Sequence, residues 1–262
     1  MIAALQMYDW PEVRPATDAF WAATAAHLHD DGIDAPAALS RFDVVAEGWR
    51  DPKLLIGQTC GLPFIRGRCG SAVPFACGDY QIDGADGGTY SSALVARLDA
   101  PDQLSEFRDT TAAINDPGSQ SGHNALADAV VQLGGDAQYF QTSLISGSHR
   151  QSATLVADGK ADIAAIDAVA WDLFRHTEPR RYDSLKVIGW TRPMPALPFI
   201  TGLAQTDLVD QLCAALTKAA AEIRGPGLPR SISQAEAETY LPIRDMDAAL
   251  SGYELAARSS QL

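Results

Sequence analysis

The sequence predicts an α/β fold. Short apolar runs rich in branched residues alternate with longer stretches of helical period, the pattern of βα units that build mixed or parallel sheets. The alternation runs twice along the chain, with Asp99-Ala100-Pro101-Asp102 as punctuation near the middle. Of 262 residues, 47% are hydrophobic and 20% charged, enough to bury a sizeable core in one large domain or two modest ones.

In the first series a strand is expected over Ile2–Met7, then a helix from about Glu12 to His29. Val13, Thr17, Phe20, Trp21, Thr24 and Leu28 fall on one face of that helix, and Asp31-Gly32 ends it. Leu54–Ile56 reads as a buried strand followed by a turn, Gly57 to Pro63, that leads into a helix. Val73–Ala76 and Ala93–Ala96 are further strands.

The second series opens with a strand over Thr110–Ile114, then a helical stripe of Ala125, Leu126, Ala129, Val130 and Leu133 that stops at Gly134-Gly135. Tyr139–Ile145 is the next expected strand, and Ser148 with Gln151 matches a capping box opening a helix. Asp162–Ile166 is a strand with Asp167 at its carboxyl end, and Leu185–Gly189 is another. Pro193, Pro195 and Pro198 mark a stiff passage before Phe199–Thr201, a helix over about Asp207–Ile223, and a last short helix near Asp245–Ala257. The order suits two lobes, each a mixed sheet flanked by helices. Residues 1–97 and 192–262 form the first lobe, and 98–191 form an inserted second, with the chain crossing twice.

Twenty basic residues against 33 acidic ones give a net charge of −13, a field that repels a phosphate backbone and anionic lipid. Nucleic acid and membrane surfaces are therefore not the expected partners, and no window has the roughly 18 apolar residues of a membrane span. A small anion remains admissible, because distant carboxylates are screened within about 10 Å at 0.1 M salt. The chain starts Met1-Ile2-Ala3-Ala4-Leu5-Gln6 without a basic, apolar leader, so the expected location is the cytoplasm unless a leader has been removed, in which case it is the periplasm. Cys60, Cys69, Cys77 and Cys213 lack a C-x-x-C pair and a nearby histidine cluster, which argues against zinc. They read as buried small side chains, with one disulfide open among the first three. No cofactor is expected.

The most informative segment is Asn115-Asp116-Pro117-Gly118-Ser119-Gln120-Ser121-Gly122-His123, between a strand and an amphipathic helix. Helix N-termini carry about four N–H groups without intrahelical partners and roughly half a positive charge, so an oxyanion there gains several hydrogen bonds together. Ser119 and Ser121 add hydroxyls, and Gly122 permits close approach. A plain helix cap explains the same letters. Ser146-Gly147-Ser148-His149-Arg150 is a second such mouth, where His149 would donate to an anion and Arg150 would neutralise it, or where a cap carries surface side chains. Asp167 is the third feature, at the strand end where open α/β sheets bind ligands. A carboxylate only accepts hydrogen bonds, so beside an anion it selects a ligand that bears a proton or an amine; the competing role is an N-cap. Tyr8 and Gln58-Thr59 follow the first two strands and each offers a neutral hydrogen bond; Tyr8, Trp10 and Tyr90 serve equally as packing aromatics.

The order Tyr8, then Gly57-Gln58-Thr59-Cys60-Gly61, Ser119-Gln120-Ser121-Gly122, Ser146-Gly147-Ser148-His149 and Gly159-Lys160-Ala161-Asp162-Ile163-Ala164-Ala165-Ile166-Asp167 resembles the phosphate/phosphonate-binding periplasmic proteins, the solute receptors of ABC uptake systems. The resemblance runs over about residues 1–205. It implies the two-lobed type II periplasmic-binding fold and a small phosphorus oxyanion (phosphate, phosphite or phosphonate) as ligand. ABC transporter membrane subunits are the implied partners of a monomeric receptor. Carried over, the ligand residues are Tyr8, Thr59, Ser119, Gln120, Ser121, Gly122, Ser148, His149 and Asp167, although Gln120 and His123 depart from the family's usual residues.

Two other functions compete. No nucleophile elbow, H-E-x-x-H or Walker loop is present, so an enzyme would rest on Cys60 at a helix start, where a helix dipole lowers a thiol pKa. A cytoplasmic ligand sensor on the same fold is the other.

Overall fold

The computed structural model describes residues 1–253 and 255. In chain order it builds β1 (Ile2–Ala4), α1 (Arg14–Asp30), α2 (Val45–Arg50), β2 (Leu54–Gln58), α3 (Gly61–Ile65), β3 (Val73–Asp79), the two-residue β4 (Thr89–Tyr90) and β5 (Ser92–Arg97). There follow β6 (Thr111–Ile114), α4 (Ala125–Gln132), β7 (Thr142–Ile145), α5 (His149–Ala157), β8 (Ile163–Asp167), α6 (Ala168–Thr177), α7 (Pro179–Tyr182) and β9 (Leu185–Trp190). The chain closes with β10 (Met194–Pro195), β11 (Pro198–Thr201), α8 (Val209–Glu222), β12 (Ser231–Gln234) and α9 (Leu241–Ala249).

The chain divides into two compact units, each with its own five-stranded mixed sheet. The first contains residues 1–81, 85–89 and 195–242; the second contains 82–84, 90–194, 243–253 and 255.

The first sheet has the order β1-β2-β11-β3-β12, with β1 parallel to β2 and the other pairs antiparallel. All of β2 is buried, as its unbroken apolar start requires. The expected face of α1 packs on the sheet through Phe20, Trp21 and Leu28, beside Leu212 and Leu216 of α8. Each such side chain contributes roughly 1.5–3 kcal/mol on burial. Gly32, at φ +77, closes α1 where the sequence placed its end. A second cluster forms around Trp49, Leu54 and Ile200, and the Trp49 indole donates to the Gln58 carbonyl at 2.8 Å.

The second sheet has the order β7-β6-β8-β5-β9. β6 runs parallel to β7 and β8, while β5 is antiparallel to β8 and β9. Ala93, Ala96, Ala112, Ala113, Ala164 and Ala165 are all buried in its central strands, and such small side chains let α5 lie close across β5, β6 and β8.

Several boundaries differ from the sequence reading. Ser92–Arg97 belongs to the second unit, because β5 pairs with β8 and β9, and residues 243–253 and 255 also join it. The lobe limits 1–97, 98–191 and 192–262, and a chain that crosses only twice, are corrected accordingly. The first strand stops at Ala4 rather than Met7. Tyr139–Gln141 is not strand, since Tyr139 turns its hydroxyl to the Leu104 carbonyl at 2.7 Å while its own carbonyl accepts from Asp109. The last helix spans Leu241–Ala249, and positions 254, 256 and 257 of the expected helix lie outside the described residues. α2, β4, α7, β10 and β12 are additions.

Candidate ligand-binding site

Because β6, β7 and β8 run parallel, their carboxyl ends, Ile114, Ile145 and Asp167, meet at one edge of the second sheet. Antiparallel β5 brings its first residue, Ser92, there as the register partner of Asp167. The loops after β6 and β7 are tied to each other: Ser146 N donates to the Ile114 carbonyl at 2.8 Å and Gly147 N to that of Asn115 at 2.9 Å. Gly147, at φ +85, makes the left-handed turn that delivers Ser148 to the start of α5.

After β6 the chain folds an Asx turn, Gly118 N donating to Asp116 Oδ1 at 2.6 Å. Ser119 is then the N-cap, its Oγ accepting from Gly122 N at 3.1 Å. The first turn is not α-helical. Asn124 N donates to the Ser119 carbonyl and Ala125 N to that of Gln120, each five residues back, so Gln120–Asn124 is a π turn leading into α4.

This register sets Ser121 Oγ 2.7 Å from Nε2 of His149, at the start of α5. Asn115 Nδ2 lies 3.3 Å from the same nitrogen, and Ser92 Oγ donates to the Ser121 carbonyl at 2.9 Å. The two helix starts and the Asp167 edge, separate in sequence, therefore form one cluster. Burial pushes the His149 imidazole down to about 4, with the Ala165 backbone partly opposing, so it is neutral at pH 7. Nδ1 of His149 is buried toward the Ala165 backbone, and Oδ1 of Asn115 is buried without a hydrogen bond. Gly122 is required sterically: a Cβ there would fall 1.9 Å from Asn115 Oδ1 and 3.2 Å from His149 Cε1. What approaches Gly122 is thus the Asn115 side chain.

Each expected cap is real. Ser148 Oγ accepts from Gln151 N at 3.1 Å, and Asp167 Oδ1 accepts from Val169 N at 2.8 Å and Ala170 N at 3.1 Å. Capping does not remove the serines from ligand chemistry, because a hydroxyl that accepts still has its proton to donate. Gln120 is not in the cluster: fully buried, it donates through Nε2 to Met246 Sδ of α9 at 3.0 Å. Arg150 is tied to Glu178, at 2.7 Å through one amino nitrogen.

Tyr8 and Thr59 belong to the first unit. Tyr8 is buried with its ring edge-on to Tyr80, at 5.6 Å between centroids. Thr59 is fully buried and donates to the Cys60 carbonyl at 3.3 Å. Cys60 is buried at the start of α3, a helix of five residues, and all four cysteines are free thiols. Burial raises the thiols of Cys69 and Cys213 and takes Cys77 up to about 11. Sequence reasoning missed Ser92, which only the β5–β8 pairing brings to the edge, and gave Asn115 no role although it lies in the quoted turn.

Two mixed sheets, each flanked by helices, with a serine-glycine turn and a histidine at the carboxyl edge of the second, define the class as the type II periplasmic-binding fold. Residues 36–247 match the family model described as ABC transporter, phosphonate, periplasmic substrate-binding protein, and the chain belongs to that family. Among solved structures, the binding protein component of an ABC phosphonate transporter from Pseudomonas aeruginosa is 18% identical, with TM-score 0.72 over 96% of this chain and 86% of that one. PhnD1 from Prochlorococcus marinus, solved in complex with methylphosphonate, is 15% identical, with TM-score 0.72 over 95% and 98%. A Xanthomonas citri protein solved bound to ATP is 17% identical, with TM-score 0.69 over 97% of each chain. Comparison with curated proteins gives no sequence match. Among the described residues no helix is long and apolar enough to cross a membrane.

Proposed function

We propose that the protein is the receptor of an ABC uptake system for a small phosphorus oxyanion, a phosphonate, phosphite or phosphate, and that the ligand is seated at the carboxyl edge of the second sheet. The observation that carries this reading is the junction of Ser121 and His149, 2.7 Å apart at two helix starts beside Asp167. Hydroxyls of Ser119, Ser121 and Ser148, the amides of the turn after Ser119 and a neutral His149 supply donors, and Asp167 favours a ligand that keeps a proton or carries an amine. A buried oxygen without a hydrogen-bond partner, Asn115 Oδ1, supports a site completed by something polar. The methylphosphonate in the Prochlorococcus structure is in accord with this ligand class. Tyr8 and Thr59 remain candidates by resemblance alone, and the seat stands without them. In this reading the receptor works as a periplasmic monomer whose partners are the transporter's membrane subunits.

The test is a thermal-shift panel of phosphate, phosphite, methylphosphonate, aminoethylphosphonate, sulfate and ATP. A ligand at a hundred times its dissociation constant adds about 2.7 kcal/mol to the folded state. At least one phosphorus oxyanion is expected to raise Tm more than sulfate does; no shift from any of them sinks the proposal.

A further inference from the structure

A π turn is rare because its hydrogen-bond geometry is less favourable than that of an α turn, so one that persists has partners that hold it. Here those partners come from the far end of the chain. Gln120 and Asn124, at the two ends of the π turn, both reach α9: Gln120 Nε2 donates to Met246 Sδ at 3.0 Å and Asn124 Nδ2 donates to Asp247 Oδ1 at 3.1 Å. Ser121 and Gly122, between them, face His149 and Asn115. The side chains of Gln120 and Asn124 are thus held by α9, while Ser121 Oγ and the backbone at Gly122 make the cluster. From Ile243 on, α9 belongs to the second unit: Ile243 and Met246 are buried, and beyond the helix Leu250 is buried and Tyr253 donates to the Asp136 carbonyl at 2.5 Å.

We propose that Met246 and Asp247 are positioning residues for the ligand seat, holding Gln120 and Asn124 so that the turn after Ser119 keeps its π register and Ser121 stays against His149. When they are lost, the turn relaxes toward bonds four residues back, and Ser121 rotates away from Nε2. The effect on ligand affinity rests on the seat proposed above; the effect on the turn does not.

Three variants test this. Met246→Leu keeps volume and removes the sulfur acceptor, Asp247→Ala removes the carboxylate acceptor, and Asp247→Asn retains an Oδ1 that can accept from Asn124. The first readout is the 15N signal of the His149 imidazole in ligand-free protein, which reports its bond to Ser121. The second is methylphosphonate affinity by calorimetry, with Ser121→Ala as the control for the seat. The expectation is that Met246→Leu and Asp247→Ala move the His149 signal and weaken methylphosphonate at least fivefold, while Asp247→Asn stays near wild type in both. Variants that lower Tm but leave the His149 signal in place overturn the proposal, as does an Asp247→Asn that behaves like Asp247→Ala. If wild type does not bind methylphosphonate, affinity is read with the oxyanion that gives the largest thermal shift; if Ser121→Ala binds that ligand as wild type does, the seat reading fails and the His149 signal alone decides the role of α9.

Discussion

Ser121 Oγ and His149 Nε2 lie 2.7 Å apart although 28 residues separate them in sequence. Parallel β6 and β7 end side by side, and each opens into a helix whose first turn carries one member of the pair. Removing the hydroxyl leaves Nε2 with only the 3.3 Å contact to Asn115. Ser121→Ala is therefore expected to cost about 1–3 kcal/mol in urea denaturation, the range for a buried polar group that loses its partner. Methylphosphonate affinity should fall about tenfold, or roughly 1.4 kcal/mol.

Gly122→Ala places a methyl group where Asn115 Oδ1 lies, 1.9 Å from the Cβ position. The amide has to move and the overpacked turn should lose about 1–3 kcal/mol. Differential scanning calorimetry reads this as a lower Tm; an unchanged Tm would mean that Asn115 does not pack on Gly122.

His149 carries a pH dependence of definite sign. Its folded-state value, about 4, lies below the ordinary 6.5, so the unfolded chain binds the extra proton between these limits. Its contribution is whole above pH 6.5 and is lost as pH falls toward 4, with a ceiling of about 3 kcal/mol. Urea titrations from pH 7.5 to 4 should show that slope in the wild type, and His149→Gln should flatten it.

Asp167 separates capping from selection. Asp167→Ala removes the acceptor for Val169 N and Ala170 N and should cost about 1 kcal/mol of stability. Asp167→Asn keeps an acceptor and should cost less, yet it no longer repels an unprotonated anion. Its calorimetric preference for methylphosphonate over sulfate should shrink; an undiminished preference removes Asp167 from the seat.

Cys60 is the residue that an enzymatic reading would need. Native iodoacetamide labelling at neutral pH, read by peptide mass, should modify half-buried Cys213 before buried Cys60. Rapid labelling of Cys60 would revive that reading.

Much of the fold was legible in the sequence because periodicity is local. The buried face of α1 and the apolar run of β8 need only their own letters, and so do the caps Ser119, Ser148 and Asp167. What stayed hidden depends on distant partners. β12, Ser-Ile-Ser-Gln, is a polar edge strand recognisable only by its pairing with β3. Nothing in Ser92–Arg97 says which sheet it joins, so the lobe boundary was drawn on the wrong side of it. The π turn is the clearest case, since Ser119–Asn124 spells an ordinary helix start and the residues that hold it open are Met246 and Asp247.

The pairing of Arg150 with Glu178 bears on rates as well as on affinity. The cation that the sequence offered to the seat is engaged by a carboxylate, and the chain as a whole carries −13. An approaching anion then travels against the field of the whole molecule. Added salt screens that field within about 8 Å at physiological strength. Stopped-flow capture of methylphosphonate should accordingly quicken as salt is added, the opposite of a receptor that draws its anion in with exposed lysine and arginine.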